Sequence, residues 1–241
     1  DITDTTPTES NLSGLDRKDF QKNINSRKTD LYILKNAQGM EVAVTNYGCA
    51  ILSIMVPDKN GKFANVILGH DSIEHVINSP EPFLSTTIGR YGNRIANGKF
   101  TLYGEEHQLT VNNGPNSLHG GPTGFHARVW DAVQPNESTV IFNYTSADGE
   151  EGFPGTLEVE MTYRLEDEAN ALVIEYRATT DKATVVNLTN HGFFNLAGIS
   201  NPSPTVLNNI LTINADFYVP IDEVSICLLY TSPSPRDKRQ S

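Results

Sequence analysis

Three glycine- and amide-rich segments hold the side chains best suited to chemistry. The first runs Gly89-Arg90-Tyr91-Gly92-Asn93-Arg94-Ile95-Ala96-Asn97-Gly98. The second runs Asn112-Asn113-Gly114-Pro115-Asn116-Ser117-Leu118-His119-Gly120-Gly121. The third runs Asn187-Leu188-Thr189-Asn190-His191-Gly192-Phe193-Phe194-Asn195-Leu196. Each joins a fixed charge or an imidazole to carboxamides, and the third adds aromatic rings. A carboxamide both donates and accepts, which matches the hydrogen-bonding needs of a hydroxyl group. Arginine presents a rigid set of donors. Imidazole titrates near pH ~6.5, so it gives and retakes a proton near neutrality. Aromatic faces suit the C–H face of a sugar ring. The mixture fits a neutral, hydroxyl-rich ligand. Taken singly, each segment reads more readily as a turn, because Asn and Gly dominate turns. Arg90 and Arg94 read equally as surface charges, and His119 or His191 alone as a structural histidine. Recurrence in three segments shifts the balance modestly toward a site.

Other chemistries find less support. His70, His75, His107, His119, His126 and His191 form no HxH or HExxH, and no Cys/His cluster has zinc spacing. His119 and His126 lie seven apart across a Gly/Pro loop, which is not diagnostic. No GxSxG elbow, Walker-type loop or GxGxxG is present. Cys49 and Cys227 make no disulfide framework. Eighteen Lys and Arg against 29 Asp and Glu leave a net charge of −11. That balance disfavours nucleic-acid backbones and anionic membrane surfaces as partners. No apolar run approaches the ~20 residues of a membrane helix.

The segments need a scaffold, and the pattern around them is that of strands. Between Thr156 and Glu166, Leu157, Val159, Met161, Tyr163 and Leu165 alternate with polar residues, which predicts a strand with one buried face. Further strands are expected at Leu31–Lys35, Glu41–Asn46, Ala50–Val56, Lys99–Tyr103, His107–Val111, Arg128–Val133, Thr139–Thr145, Leu172–Thr179, Thr184–Leu188 and Leu207–Asn214. Asn60-Gly61, Asn97-Gly98, Gly104 and Asp148-Gly149 supply turn chemistry between them. Only Ser72–Asn78 reads as a helix, with Asp71 or Ser72 as its cap and Ile73, Val76 and Ile77 on one face. Residues 1–13 are polar and Thr/Ser-rich, the composition of a disordered arm. Many short strands and almost no helix predict one all-β domain, an antiparallel sandwich or barrel.

The order of the motifs resembles that of the aldose 1-epimerase (galactose mutarotase) family. The markers are Asn93-Arg94-Ile95, then Leu118-His119-Gly120-Gly121, then Asn187 to Leu196. Asn46-Tyr47-Gly48, Val56-Pro57-Asp58, Gly152-Phe153-Pro154-Gly155 and Ala215-Asp216-Phe217-Tyr218-Val219-Pro220 also resemble the family, so the likeness covers about residues 14–224. Gly192 departs from it, where the family often has Ser. The resemblance implies a large antiparallel β-sandwich with a sugar cleft on the sheet. It implies His191 as general acid, His119 as a second sugar-contacting histidine, and Asn93 and Arg94 as sugar-binding positions. It further implies a free aldohexose as substrate, no cofactor or metal, and a cytoplasmic location. The family's base is a glutamate near the C-terminus, preceded by a sugar-binding aspartate, both beyond the shared region. No base is assigned in this chain, because Glu150 and Glu151 match no family base. The sandwich is accordingly expected to be incomplete at the C-terminus. Residues 226–241 read as a foreign tail. Two other readings stand beside this one: a non-catalytic carbohydrate-binding sandwich, and a hexose-phosphate epimerase of the same fold, which would want more basic groups.

Overall fold

The alternation over Thr156–Glu166 becomes a nine-residue strand, Leu157–Leu165, in the computed structural model, which describes residues 10–200 and 205–228. Leu157, Val159, Met161, Tyr163 and Leu165 are each at most 3% exposed, while Glu158 and Glu160 face solvent. In chain order the strands are β1 (Asn23–Ile24), β2 (Arg27–Lys28), β3 (Leu31–Lys35), β4 (Glu41–Thr45), β5 (Ile51–Pro57), β6 (Phe63–Asn65), β7 (Thr87–Ile88), β8 (Arg94–Ile95), β9 (Lys99–Leu102), β10 (Glu105–Gln108), β11 (Ser117–Leu118), β12 (Asp131–Asn136), β13 (Thr139–Ser146), β14 (Leu157–Leu165), β15 (Leu172–Thr180) and β16 (Thr189–Asn190). The α-helix among the described residues is α1 (Ile73–Ile77), too short and too polar to cross a membrane.

Two four-stranded antiparallel sheets, β3-β4-β5-β6 and β12-β13-β14-β15, carry the architecture. They share one core: Leu34, Val42, Val44 and Ile54 from the first meet Val140, Phe142, Val159 and Met161 from the second, with Trp130 among them. Burying each such side chain contributes about 1.5–3 kcal/mol. The other face of the first sheet is covered too. There Leu31, Ala43, Ala50 and Leu52 pack with Phe20 and with Ile73 and Val76 of α1. This leaves β4 buried on both faces. The N-cap of α1 is Ser72, whose hydroxyl accepts from the His75 N–H at 3.3 Å.

Several elements depart from the sequence pattern. Residues 10–13 of the expected arm are tied down: the buried Glu41 carboxylate accepts from the Leu12 and Ser13 N–H groups at 2.8 and 3.0 Å. The strand expected at His107–Val111 pairs earlier, as β10, because it folds back on β9 around Tyr103-Gly104. The strand expected from Arg128 starts at Asp131, since Phe125–Ala127 is a 3-10 turn. Thr184–Leu188 is not a strand. Asn187 makes a single parallel bridge to Tyr91, its N–H donating to Arg90 O at 2.8 Å while Gly92 N–H donates to Asn187 O at 2.7 Å. Leu207–Asn214 is not a strand either, and Leu207, Ile210, Leu211 and Ile213 are between 69% and 95% exposed. Its apolar content is strand-like, but a strand needs a neighbour for its backbone groups, and among the described residues none is paired with it. Residues 226–228 turn back on Pro220–Asp222, with Leu228 N–H donating to Pro220 O at 2.8 Å. The rest of the expected tail, 229–241, and residues 1–9 lie outside the described residues.

Candidate active site

The three polar segments meet at the end of the short β7 strand. Gly89 and Arg90 follow it directly. Arg90 is 1% exposed and acts as a bolt, not a surface charge. Its guanidinium donates to Ser146 Oγ and Ser146 O at 3.0 Å and to Ala147 O and Pro154 O at 2.9 Å. The bolt ties the first segment to the end of β13 and fixes where the next residues emerge.

Asn93 and His119 then clasp each other. The His119 N–H donates to Asn93 O, and the Asn93 N–H donates to His119 Nδ1, both at 3.0 Å. Both residues have positive φ, 67° for Asn93 and 54° for His119. Asn is among the residues that tolerate this region best. Because Nδ1 accepts, the proton of the neutral ring sits on Nε2. Burial, with the neighbouring His191, Arg94 and His126 charges, lowers the His119 pKa from 6.5 to about 4. His119 is therefore a neutral Nε2–H donor at physiological pH. The glycine after it is sterically required: Gly120 has φ +85°, and a Cβ there would lie 1.9 Å from Gly89 O.

Arg94 begins β8, whose partner β11 places Leu118 opposite it, one residue from His119. Its Nε donates to Asn113 Oδ1 at 2.9 Å and its Nη1 to Asn93 Oδ1 at 3.3 Å. The third segment enters through β16, where Thr189 and Asn190 pair with Ile88 and Thr87 of β7. His191 follows. Its N–H donates to Thr86 O at 2.9 Å and its carbonyl accepts from Ser85 N–H at 3.0 Å. Asn190 is anchored inward on the buried Tyr163 hydroxyl at 3.0 Å, and that hydroxyl donates to Cys49 O at 2.8 Å.

The result brings the two imidazoles together. The His119 and His191 rings lie 4.9 Å apart at 83°, and His191 also stacks on Phe193 at 5.0 Å. Asn93, Arg94, His119 and His191 thus share one surface. Sequence reasoning passed over Phe83, whose ring lies 4.8 Å from His119, 4.6 Å from His126 and 6.2 Å from His191. Phe83 sits in Glu-Pro-Phe-Leu, which carries no motif signal. Asn113, the anchor of Arg94, was visible only as one amide in a turn. His126 is buried, and burial lowers its pKa from 6.5 to about 4 against the opposing influence of Glu151. His107 lies elsewhere, stacked on Phe100. Glu150 accepts from Tyr144 and Ser146, and Glu151 from Thr123. Among the described residues no three His, Cys, Asp or Glu side chains converge to hold a metal ion.

Comparison with known proteins identifies the family. The family model for aldose 1-epimerase matches residues 30–240. The galactose mutarotase of Bos taurus is 43% identical over 187 residues, which is 78% of this chain and 53% of that protein. The aldose 1-epimerase of Escherichia coli K12 is 43% identical over 196 residues, covering 81% of this chain and 55% of that one. The chain therefore spans about half the length of the curated relatives it matches. Among solved structures, an aldose epimerase homologue from C. elegans superposes with a TM-score of 0.77 at 32% identity, over 83% of this chain and 60% of the other. A galactose 1-epimerase from Lactobacillus acidophilus gives 0.70 at 30%, over 84% and 58%. Like these neighbours the chain is an antiparallel β-sandwich, and with the family model running over most of its length it belongs to the aldose 1-epimerase family.

Proposed function

We propose that this site holds the pyranose of a free aldohexose and that His191 exchanges a proton with its ring oxygen during α/β interconversion. The observation that carries the proposal is the right-angled pair of imidazoles 4.9 Å apart. Two cations at that distance repel, so the pair accommodates at most one charge comfortably. His119 is held neutral by its surroundings and by the Asn93 N–H on Nδ1. The motif resemblance assigns the proton-carrying role to His191, while His119 presents its Nε2–H to a sugar oxygen.

The chemistry balances as follows. A base takes the proton of the anomeric hydroxyl, and that electron pair closes the C1 carbonyl. The bond from C1 to the ring oxygen breaks, and the ring oxygen takes the proton from His191. Rotation about C1–C2 presents the other aldehyde face. Ring closure then returns the proton to His191 and reprotonates the anomeric oxygen. Arg94 and Asn93 hold hydroxyls so that C1 stays in place during the rotation; positioning of this kind is a large part of catalysis.

The base is assigned to no residue here. Glu150 accepts from Tyr144 and Ser146, Glu151 accepts from Thr123, and neither matches a family base. That observation favours a second reading for the 241-residue chain taken alone: it binds sugar without rapid turnover, and a carboxylate supplied elsewhere in the whole protein completes the exchange. Polarimetry on fresh α-glucose and α-galactose, with saturation-transfer NMR on the same samples, tests both parts. The expected outcome is sugar binding that is lost on Arg94→Ala, with rotation changing no faster than in buffer. Rapid mutarotation that depends on His191 overturns the reading that the base is missing. Absence of sugar binding overturns the assignment of the site.

A further inference from the structure

We infer that Phe83 is the positioning residue of this site, the wall that sets His119 and His191 at right angles. Its relevance to sugar chemistry rests on the function proposed above, but the geometry stands on its own. The Phe83 ring meets His119 edge-on at 74° and His126 at 62°, and lies nearly parallel to His191 at 28°. It is the ring common to all three imidazoles. Edge-to-face arrangements are the ones an aromatic quadrupole favours, so the ring prefers a definite orientation of each neighbour.

The backbone ties Phe83 to His191 as firmly as the ring does. Leu84 N–H donates to Glu81 O, and Thr86 N–H and Oγ1 donate to Phe83 O at 3.1 and 3.0 Å. Within the same turn, Ser85 N–H and Thr86 O bond to the His191 main chain. A displacement of Phe83 therefore moves the strand edge on which His191 hangs. Core packing does not explain the residue. Phe83 belongs to neither apolar cluster of the sandwich, and it is only partly buried.

The ring also shields His119 from water. The groups that face His119 are His191, Arg94 and His126, all cationic when charged, and burial is the largest influence on it. Opening the wall would hydrate the imidazole and ease its protonation.

The test is NMR on the histidine-labelled 241-residue chain and on Phe83→Leu, Phe83→Ala and Phe83→Tyr. In the parent and in Phe83→Tyr, ring-to-ring NOEs between His119 and His191 are expected, with His119 in the Nε2–H form. In Phe83→Leu those NOEs weaken or vanish while the thermal midpoint holds. In Phe83→Ala the His119 titration also moves up by about one pH unit. Galactose affinity, measured on the same samples, is expected to fall about tenfold in Phe83→Leu and to return in Phe83→Tyr. Unchanged NOEs in Phe83→Leu, or an unchanged His119 titration in a folded Phe83→Ala, overturn the inference; if Phe83→Ala does not fold, the NOEs in Phe83→Leu decide. Should the parent bind no galactose, the sugar assignment fails while the NOE and titration results still judge Phe83.

Discussion

Acidification offers a direct test of the two enclosed imidazoles. His119 and His126 each have a pKa lowered from 6.5 to about 4, chiefly by burial. The unfolded chain takes up both protons near pH 6.5, whereas the native state resists until about pH 4. The native state thus binds fewer protons in this window. Stability is full above pH 6.5, falls as the pH drops toward 4, and levels off below it. At about 1.36 kcal/mol per pH unit, a fully enclosed imidazole would lose about 3.4 kcal/mol across the window. His126, 4% exposed, approaches that figure. His119 opens partly to solvent, where screening reduces it to roughly half. The pair together is expected to remove roughly 4–5 kcal/mol, a large share of the stability of an ordinary domain. Urea denaturation between pH 7.5 and 4, followed by fluorescence of the single, fully buried Trp130, measures this. His126→Leu should take away more than half of the loss and leave the His119 part. A free energy that stays flat from pH 6.5 to 4.5 would refute the reasoning, as would an unchanged pH dependence in His126→Leu.

Arg90→Met should lower stability by about 3 kcal/mol or more, because it strips the donor from three carbonyls, those of Ser146, Ala147 and Pro154; denaturant titration reads it, and a loss below about 1 kcal/mol would contradict the bolt. Gly120→Ala should displace the His119 loop, since the new methyl meets Gly89 O at φ +85°; the expected readout is a shifted His119 ring resonance and lost sugar binding. Arg94→Lys keeps the charge but loses the Nε bond to Asn113, so galactose affinity should drop about tenfold with little change in thermal midpoint.

The strand Leu157–Leu165 was legible because period-two burial is a property of neighbouring residues, and α1 was legible because its cap and apolar face lie within one short stretch. The three motif segments were legible by residue type. Leu207–Asn214 shows the limit: its composition is strand-like, yet it lies exposed without a ladder, since pairing belongs to a neighbour and not to the segment. Arg90 shows another. Read alone it is a surface charge, and only the return of Ser146, Ala147 and Pro154 makes it a buried bolt.

The chain by itself marked which segments carry side chains suited to chemistry and which faces of its strands would turn inward. Only the tertiary structure decided that His119 and His191, 72 residues apart in sequence, stand 4.9 Å from each other. It likewise decided that one ring, Phe83, lies against all three of His119, His126 and His191, and that His119 carries its proton on Nε2. The reason is physical. Sidedness and turns follow from bonds and contacts a few residues long, whereas desolvation, ring packing and the field at an imidazole arise from segments that meet only when the sheets close.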